Sequence, residues 1–492
     1  MTEKEQVGQS LATSYSSSQR NVMIVRDRPS TSAPRRVLST FDGVVLVVGL
    51  IVGAGVFRSP PIVAANVADI WSFFAVWVAG GLVALAGALC YAELASAYPH
   101  PGGEYHVLRY TFGNSTGFML GWARMTVMQT GSIALLAFVF ADYAVRLFPG
   151  GAPTGSWASG PVLAAGVVVV LTLVNMAGLR PGRRAQYLLT AAEVGGLCAV
   201  IAAGFTIALG GAEPNVAPAA AGSPATASNL PLALVFVLLT YGGWSEAAYL
   251  SAELRDRDRG VRRTLTWAVA IVTVLYLLAN VAYVAALGLG GVSASSAVAV
   301  DVMLAVAGPW CGVAVGVIVM AAALSSANAS MITGARGSFA VGKAVSPLGA
   351  LGVWRETAAD DSGTPRRALV VQAIISLILV AFGAATRAGF ETMVAYTAPV
   401  FWLTLLLMGV ALFVLRRREP DRERPFRVPL YPLTPLLFCA ASAGMLYSSV
   451  AYAGRGALLG VAVMLAGLPL LLIGRSRLAR AEQSLGSIES TP

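Results

Sequence analysis

The sequence predicts an all-α integral membrane protein with about twelve crossings, and three observations carry that reading. Of its 492 residues, 57% are hydrophobic and only 12% are charged, where a soluble globular chain carries about 25% charged residues. Apolar runs long enough to cross a bilayer, about 20 residues each, succeed one another along most of the chain. Positive charge collects in every second loop. Together these exclude an ordinary soluble protein. Stretches such as Val162 to Val174 are apolar without alternation, which excludes the alternating strands of about ten residues that build a barrel.

The spans are read near 41–65, 72–96, 118–147, 161–178, 186–209 and 230–253, then near 265–289, 309–334, 368–386, 391–415, 433–453 and 457–474. Arg180, Arg183 and Arg184 follow span 4, and Arg255, Arg257, Arg259, Arg262 and Arg263 follow span 6. Lys343, Arg366 and Arg367 precede span 9, Arg416, Arg417, Arg418, Arg422, Arg424 and Arg427 separate spans 10 and 11, and Arg475, Arg477 and Arg480 follow span 12. By the positive-inside rule these loops and both termini face the cytoplasm of a multi-pass protein in a cell (inner) membrane. The net charge of +10 therefore reports topology and not affinity for nucleic acid. Residues 1–38, rich in Ser, Thr and Arg without apolar periodicity, read as a disordered cytoplasmic tail. Residues 39–474 read as the transmembrane domain and 475–492 as a second cytoplasmic tail.

Two spans carry breaks. Gly43, Gly49, Gly53 and Gly55 fall within span 1, which Pro60-Pro61 closes, and span 6 contains Tyr241-Gly242-Gly243-Trp244-Ser245-Glu246 where a lipid-facing helix would be apolar. Glycine also serves close helix packing, but two interruptions at matching places are the better sequence pointer to a transport site. Five spans separate them, an odd number, so the second unit enters the membrane from the opposite side. The predicted architecture is a 5+5 inverted repeat, 39–210 and 230–415, with two accessory helices over 433–474.

A broken helix leaves free N–H groups at the start of its second half and free C=O groups at the end of its first, and hydrocarbon satisfies neither. A zwitterion satisfies both. The N–H groups of Gly53, Ala54 and Gly55 suit a carboxylate, and the carbonyls of Ile51 and of Thr240 or Tyr241 suit an ammonium, with Gly242 and Gly243 leaving the backbone open. Tyr241 is a candidate gate over the ligand, or equally an aromatic packed in a helix interface. In span 3 the polar run Gln129, Thr130, Gly131 and Ser132 offers Ser132 as a pocket residue, and span 10 offers Tyr396, Phe401 and Trp402 as walls. Arg58 is read as a structural ion pair, with Asp142 or Glu246, or a snorkelling side chain, in preference to a sensor of an acidic substrate.

Other chemistries find no support. Cys90, Cys198, Cys311 and Cys439 fall singly in apolar spans, and the two histidines, His100 and His106, flank a Gly-rich loop, so neither set suggests a metal site. No phosphate loop, HExxH or nucleophile elbow is present. The expectations are no cofactor, no catalysis and no nucleic acid partner. The expected partners are a small-molecule substrate, membrane lipid and protons.

Several motifs in order resemble the amino acid, polyamine and organocation (APC) superfamily, on its L-amino acid transporter side. Ile51-Val52-Gly53-Ala54-Gly55-Val56-Phe57 is similar to the family's span 1 motif, and Tyr241-Gly242-Gly243-Trp244 with Glu253 to its span 6 motif. Tyr91-Ala92-Glu93-Leu94, followed by Pro99 and Gly102-Gly103-Glu104-Tyr105, resembles its connection between spans 2 and 3. Pro425-Phe426-Arg427-Val428-Pro429-Leu430-Tyr431-Pro432 resembles its loop before span 11. The resemblance implies the leucine-transporter-type fold, alternating access, and transport of L-amino acids by exchange or proton symport, with polyamines or other organic amines as the alternative cargo. A membrane sensor or structural subunit is the different class, against which the lack of a sizeable soluble segment counts. Many members carry a Lys in span 5 in place of a sodium ion. Matched through Arg184-Ala185-Gln186, that position here is Glu193, a departure that makes Glu193 a candidate proton carrier, or with Ser325, Ser326 and the span 1 carbonyls a candidate cation site, or equally a neutral acid bonded to a neighbouring helix.

Overall fold

The computed structural model describes residues 39–98, 103–147, 159–177, 183–209, 228–245, 260–344, 366–386, 388–452 and 454–472. The two tails, and Pro99, His100, Gly102, Glu246 and Glu253 of the motifs above, lie outside them.

Among the described residues the secondary structure is helical, with no strand. Span 1 is two helices, α1 (Thr40–Ile51) and α2 (Gly55–Ala65), and span 2 is α3 (Ile70–Ala97). A short α4 (Gly103–Phe112) precedes span 3, which comprises α5 (Asn114–Ala123), a π-helical segment Arg124–Gln129, and α6 (Thr130–Leu147). Spans 4 and 5 are α7 (Gly160–Met176) and α8 (Arg183–Ala208), and span 6 begins as α9 (Leu230–Thr240). Span 7 is α10 (Gly260–Ala294), a short α11 (Val298–Ala307) follows, and span 8 is α12 (Pro309–Ala344). Spans 9, 10 and 11 are α13 (Arg366–Thr386), α14 (Gly389–Arg418) and α15 (Leu433–Tyr452), and span 12 begins with α16 (Gly454–Leu465).

Eight of these helices are long and apolar enough to cross a membrane, matching spans 2, 3, 5, 7, 8, 9, 10 and 11. The other four predicted crossings coincide with shorter apolar helices or with breaks: span 1 in two pieces, span 4 at Gly160–Met176, span 6 ending at Thr240, and span 12 over Gly456–Leu472. The chain is a multi-pass membrane protein.

Local signals set the helix starts. Ser39 caps α1, accepting from the Asp42 N–H while the Asp42 carboxylate accepts from Ser39 N, a reciprocal box that satisfies two otherwise orphaned donors. Asp69 does the same for span 2 with Ser72, whose N–H holds the Asp69 carboxyl below its usual pKa.

The Arg-rich face is fastened by buried acids. Glu93, 1% exposed at the end of span 2, accepts from Arg416 (2.8 and 2.5 Å) and from the Val428 N–H (2.6 Å), with Arg424 at 3.5 Å. Glu104 of α4 accepts from Tyr91 (2.7 Å) and pairs with Arg124 (2.6 Å). Glu419 accepts from Tyr98, Tyr110 and Arg422. Burial raises the Glu419 pKa, but the bonds from Tyr110, Arg422 and Tyr98 outweigh it and hold the carboxyl below its ordinary value. The loop before span 11 is thereby joined to span 2 and α4, which is why its sequence is rich in Arg yet partly buried.

Candidate functional site

The break in span 1 is abrupt. α1 ends with Val52 N–H bonded to Val48 O and with Val52 extended (φ −72°, ψ 90°), and α2 starts at Gly55 with no side-chain cap on its first turn. Ile51, Val52 and Ala54 are all buried, at 3%, 0% and 1% exposure. Among the described residues no backbone hydrogen bond serves the N–H groups of Gly53, Ala54 or Gly55. The positive end of α2 therefore stands uncapped inside the protein, where it suits an anion.

Span 6 breaks beside it. α9 ends at Thr240, Tyr241 and Gly242 turn back onto Val237 O and Leu239 O, and Gly243 takes φ +99°, a conformation for which glycine is needed. The two breaks touch. A Cβ on Gly55 would stand 3.2 and 3.3 Å from Thr240 Cγ2 and Cα, and the Thr240 hydroxyl donates to the Ser59 hydroxyl at 2.7 Å.

Span 7 supplies what sequence reading did not foresee. The Tyr276 hydroxyl stands 2.9 Å from Ile51 O and 3.2 Å from Thr240 O, the carbonyls assigned above to an ammonium. Its single proton serves one of them at a time, so the last carbonyls of α1 and α9 share a donor. One turn on, Asn280 is fully buried, with its Nδ2 donating to Tyr276 O and its Oδ1 without a hydrogen-bond partner. Tyr283, on the same helix face, donates to Val56 O at 3.4 Å.

The predicted coupling residues lie nearby. Ser326 Oγ would be 3.5 Å from a Cβ on Gly53, and Ser325 precedes it, half-buried, on span 8. Spans 1 and 5 run the same way and touch at Gly49 and Thr190. Three residues further along each stand Val52 and Glu193, and Glu193 is buried within electrostatic reach of Tyr276.

Other candidates stand apart from the gap. The Tyr241 ring is 1% exposed and packs between spans 2 and 7, against Trp77 and Tyr276, with its hydroxyl 3.2 Å from Trp77 O. That is the interface placement, and a gating movement would have to draw the ring out of it. Ser132 is half-buried on span 3, and no described contact joins it to either break. Its neighbour Gly131 meets Thr397 and Tyr396 of span 10, and the Tyr396 hydroxyl donates to Thr126 O in the π-helical segment at 2.9 Å. Phe401 and Trp402 line an apolar void of about 10 Å³ with Trp244 and Phe438, on the side of span 6 that faces spans 2 and 11.

Arg58 is an ion pair, as expected, but with two partners. It reaches Asp142 of span 3 at 3.2 Å and Glu391 of span 10 at 3.3 Å, and lies over the Phe390 ring at 5.1 Å. The four cysteines are free, and no group of His, Cys, Asp or Glu able to hold a metal occurs among the described residues.

The arrangement offers unpaired N–H groups, shared carbonyls and a buried acid, with no assembled nucleophile, base and orienting group among the described residues. Comparison with known proteins identifies the family. The family described as "Amino acid permease" matches residues 38–468. The mouse (Mus musculus) b(0,+)-type amino acid transporter 1 is 29% identical over 401 residues, 82% of this chain and 80% of the mouse protein. The human (Homo sapiens) large neutral amino acids transporter small subunit 2 is 31% identical over 441 residues, 87% of this chain and 78% of the human protein. These relatives are transporters and not enzymes, and the chain belongs to the amino acid permease family.

Proposed function

We propose that the chain is a secondary transporter of L-amino acids that binds the backbone zwitterion of its substrate where spans 1 and 6 are broken. The carrying observation is the uncapped start of α2 beside the shared carbonyls of Ile51 and Thr240. A carboxylate takes the N–H groups of Gly53, Ala54 and Gly55. An ammonium competes with the Tyr276 proton for the carbonyls, with Thr240, Tyr241, Gly242 and Gly243 forming the span 6 wall. The relatives' names add large neutral amino acids as the first cargo to test. Alternating access is the mechanism that suits such a site between two inverted units, read as 39–210 and 230–415 with 433–474 accessory. The loop arginines support an orientation with both termini on the cytoplasmic side, in a cell (inner) membrane.

Exchange or proton symport is the proposed mode. A carboxylate at mid-membrane costs about 2.5–3.5 kcal/mol on insertion scales, which favours a protonated or cation-paired Glu193. Its burial near Tyr276, with span 5 touching span 1 at Gly49, supports Glu193 as the carrier of a coupled proton, with Ser325 and Ser326 as candidate partners on span 8. Glu193→Gln, reconstituted in liposomes, is expected to lose the pH dependence of net uptake while retaining exchange against internal amino acid. Unaltered pH dependence would remove Glu193 from coupling.

A further inference from the structure

Pro60 and Pro61 are the sixth and seventh residues of α2 and are buried within it. Proline has no N–H. In an α-helix the donors for Val56 O and Phe57 O would be the N–H groups of residues four further on, which here are the two prolines. The half-helix whose N-terminus forms the proposed site thus carries two adjacent carbonyls that lack their α-helical donors, in a part of the protein where water is scarce.

Each carbonyl receives a tyrosine from another span. Tyr143 of span 3 donates to Phe57 O at 2.9 Å, and Tyr283 of span 7 donates to Val56 O at 3.4 Å. Both tyrosines are fully buried, and neither hydroxyl has a second described partner. A buried phenol is placed only where its hydroxyl finds a partner, and a buried carbonyl without a donor is costly. The prolines and the tyrosines therefore solve each other's problem, one pair to one pair. A helix held by its own i to i+4 bonds would be free to slide as a rod. α2 instead is fixed in depth and rotation by two bonds to spans 3 and 7, within about one turn of Gly53, Ala54 and Gly55.

We propose that Tyr143 and Tyr283 are positioning residues for substrate binding: they supply the hydrogen bonds that Pro61 and Pro60 withhold from α2, and so set where its first N–H groups meet the substrate carboxylate. This rests on the reading that those N–H groups bind the carboxylate. The Tyr143 bond is the shorter and carries more of the positioning.

The test is a matched exchange in the purified full-length protein, reading binding of L-leucine and of L-leucinol, which keeps the amine and side chain but lacks the carboxylate. Tyr143→Phe is expected to weaken L-leucine about tenfold, the worth of one unsatisfied buried acceptor, and Tyr283→Phe to weaken it less, with L-leucinol unchanged in both. Pro61→Ala restores an N–H to Phe57 O and Pro60→Ala restores one to Val56 O. Pro61→Ala is therefore expected to recover L-leucine binding in Tyr143→Phe but not in Tyr283→Phe, and Pro60→Ala the reverse. Equal weakening of L-leucine and L-leucinol, or recovery that ignores the pairing, would overturn the proposal. Should Tyr143→Phe not yield folded protein, the Tyr283→Phe pair decides on the same criteria. If the unmodified protein prefers L-leucinol to L-leucine, the carboxylate reading fails instead, so the two failures are told apart.

Discussion

Gly53→Ala is expected to fold normally and to lose transport, whereas Gly55→Val is expected to lose both. The difference lies in what surrounds each glycine. A Cβ at position 53 meets only Ser326 Oγ at 3.5 Å, an ordinary contact, while one at position 55 meets Thr240 Cγ2 and Cα at 3.2 and 3.3 Å. Thr240 Cα is backbone at the end of α9 and is held by the Thr240 to Ser59 bond, so it yields little. Two further methyl groups in valine would part the half-helices and with them Ile51 O and Thr240 O. At Gly53 the added methyl harms nothing in the protein itself but stands where a carboxylate must approach the N–H groups. Misplacement of this kind by about 1 Å costs on the order of 100-fold. Uptake into liposomes together with a thermal unfolding curve in detergent separates the two cases. Equal unfolding midpoints with unimpaired uptake for Gly53→Ala would remove that position from the site.

Glu93→Ala is expected to be the most damaging single change away from the site. The carboxylate is 1% exposed and faces Arg416, Arg424 and the Val428 N–H. Removing it leaves two guanidinium groups and a backbone donor facing an apolar side chain, and breaking a buried pair from one side costs about 3–5 kcal/mol. The loop before span 11 should then come loose from span 2, measurable as proteolysis within 419–432 at protease concentrations that leave the unmodified protein intact. Glu93→Gln keeps the volume and one acceptor, and is expected to fall between. Cleavage equal to that of the unmodified protein would show that this cluster contributes little.

Much of this was legible in the residues, for identifiable reasons. Glycine clusters at matching places in two spans point to breaks, although single glycines also serve packing, as Gly80 and Gly81 do inside the unbroken span 2, and the arginines mark one face because charge is excluded from the hydrocarbon. The length of a crossing is less legible. Span 4 is a helix of 17 residues and α9 one of 11, since a broken or short crossing has no compositional mark at its true ends. Long-range partners are not legible at all. Nothing local tells that Tyr276 serves Ile51, 225 residues away, or that Arg58 has Glu391 as a second acid. Tyr241 carried two readings because an aromatic beside a Gly pair fits a gate and an interface alike, and its ring sits in the interface. The diproline was a signal within reach: Pro60-Pro61 in a membrane helix demands two outside donors for Val56 O and Phe57 O, although only the fold reveals them as Tyr283 and Tyr143.

The central claim is that the breaks in spans 1 and 6 recognise a zwitterion. Uptake by purified protein in liposomes loaded with unlabelled amino acid, tested with labelled L-amino acids and with amines lacking a carboxylate, addresses it most directly. The account predicts accumulation of at least one L-amino acid, large neutral ones first, and none of an amine such as putrescine. Uptake of the amine with no uptake of any amino acid would contradict it.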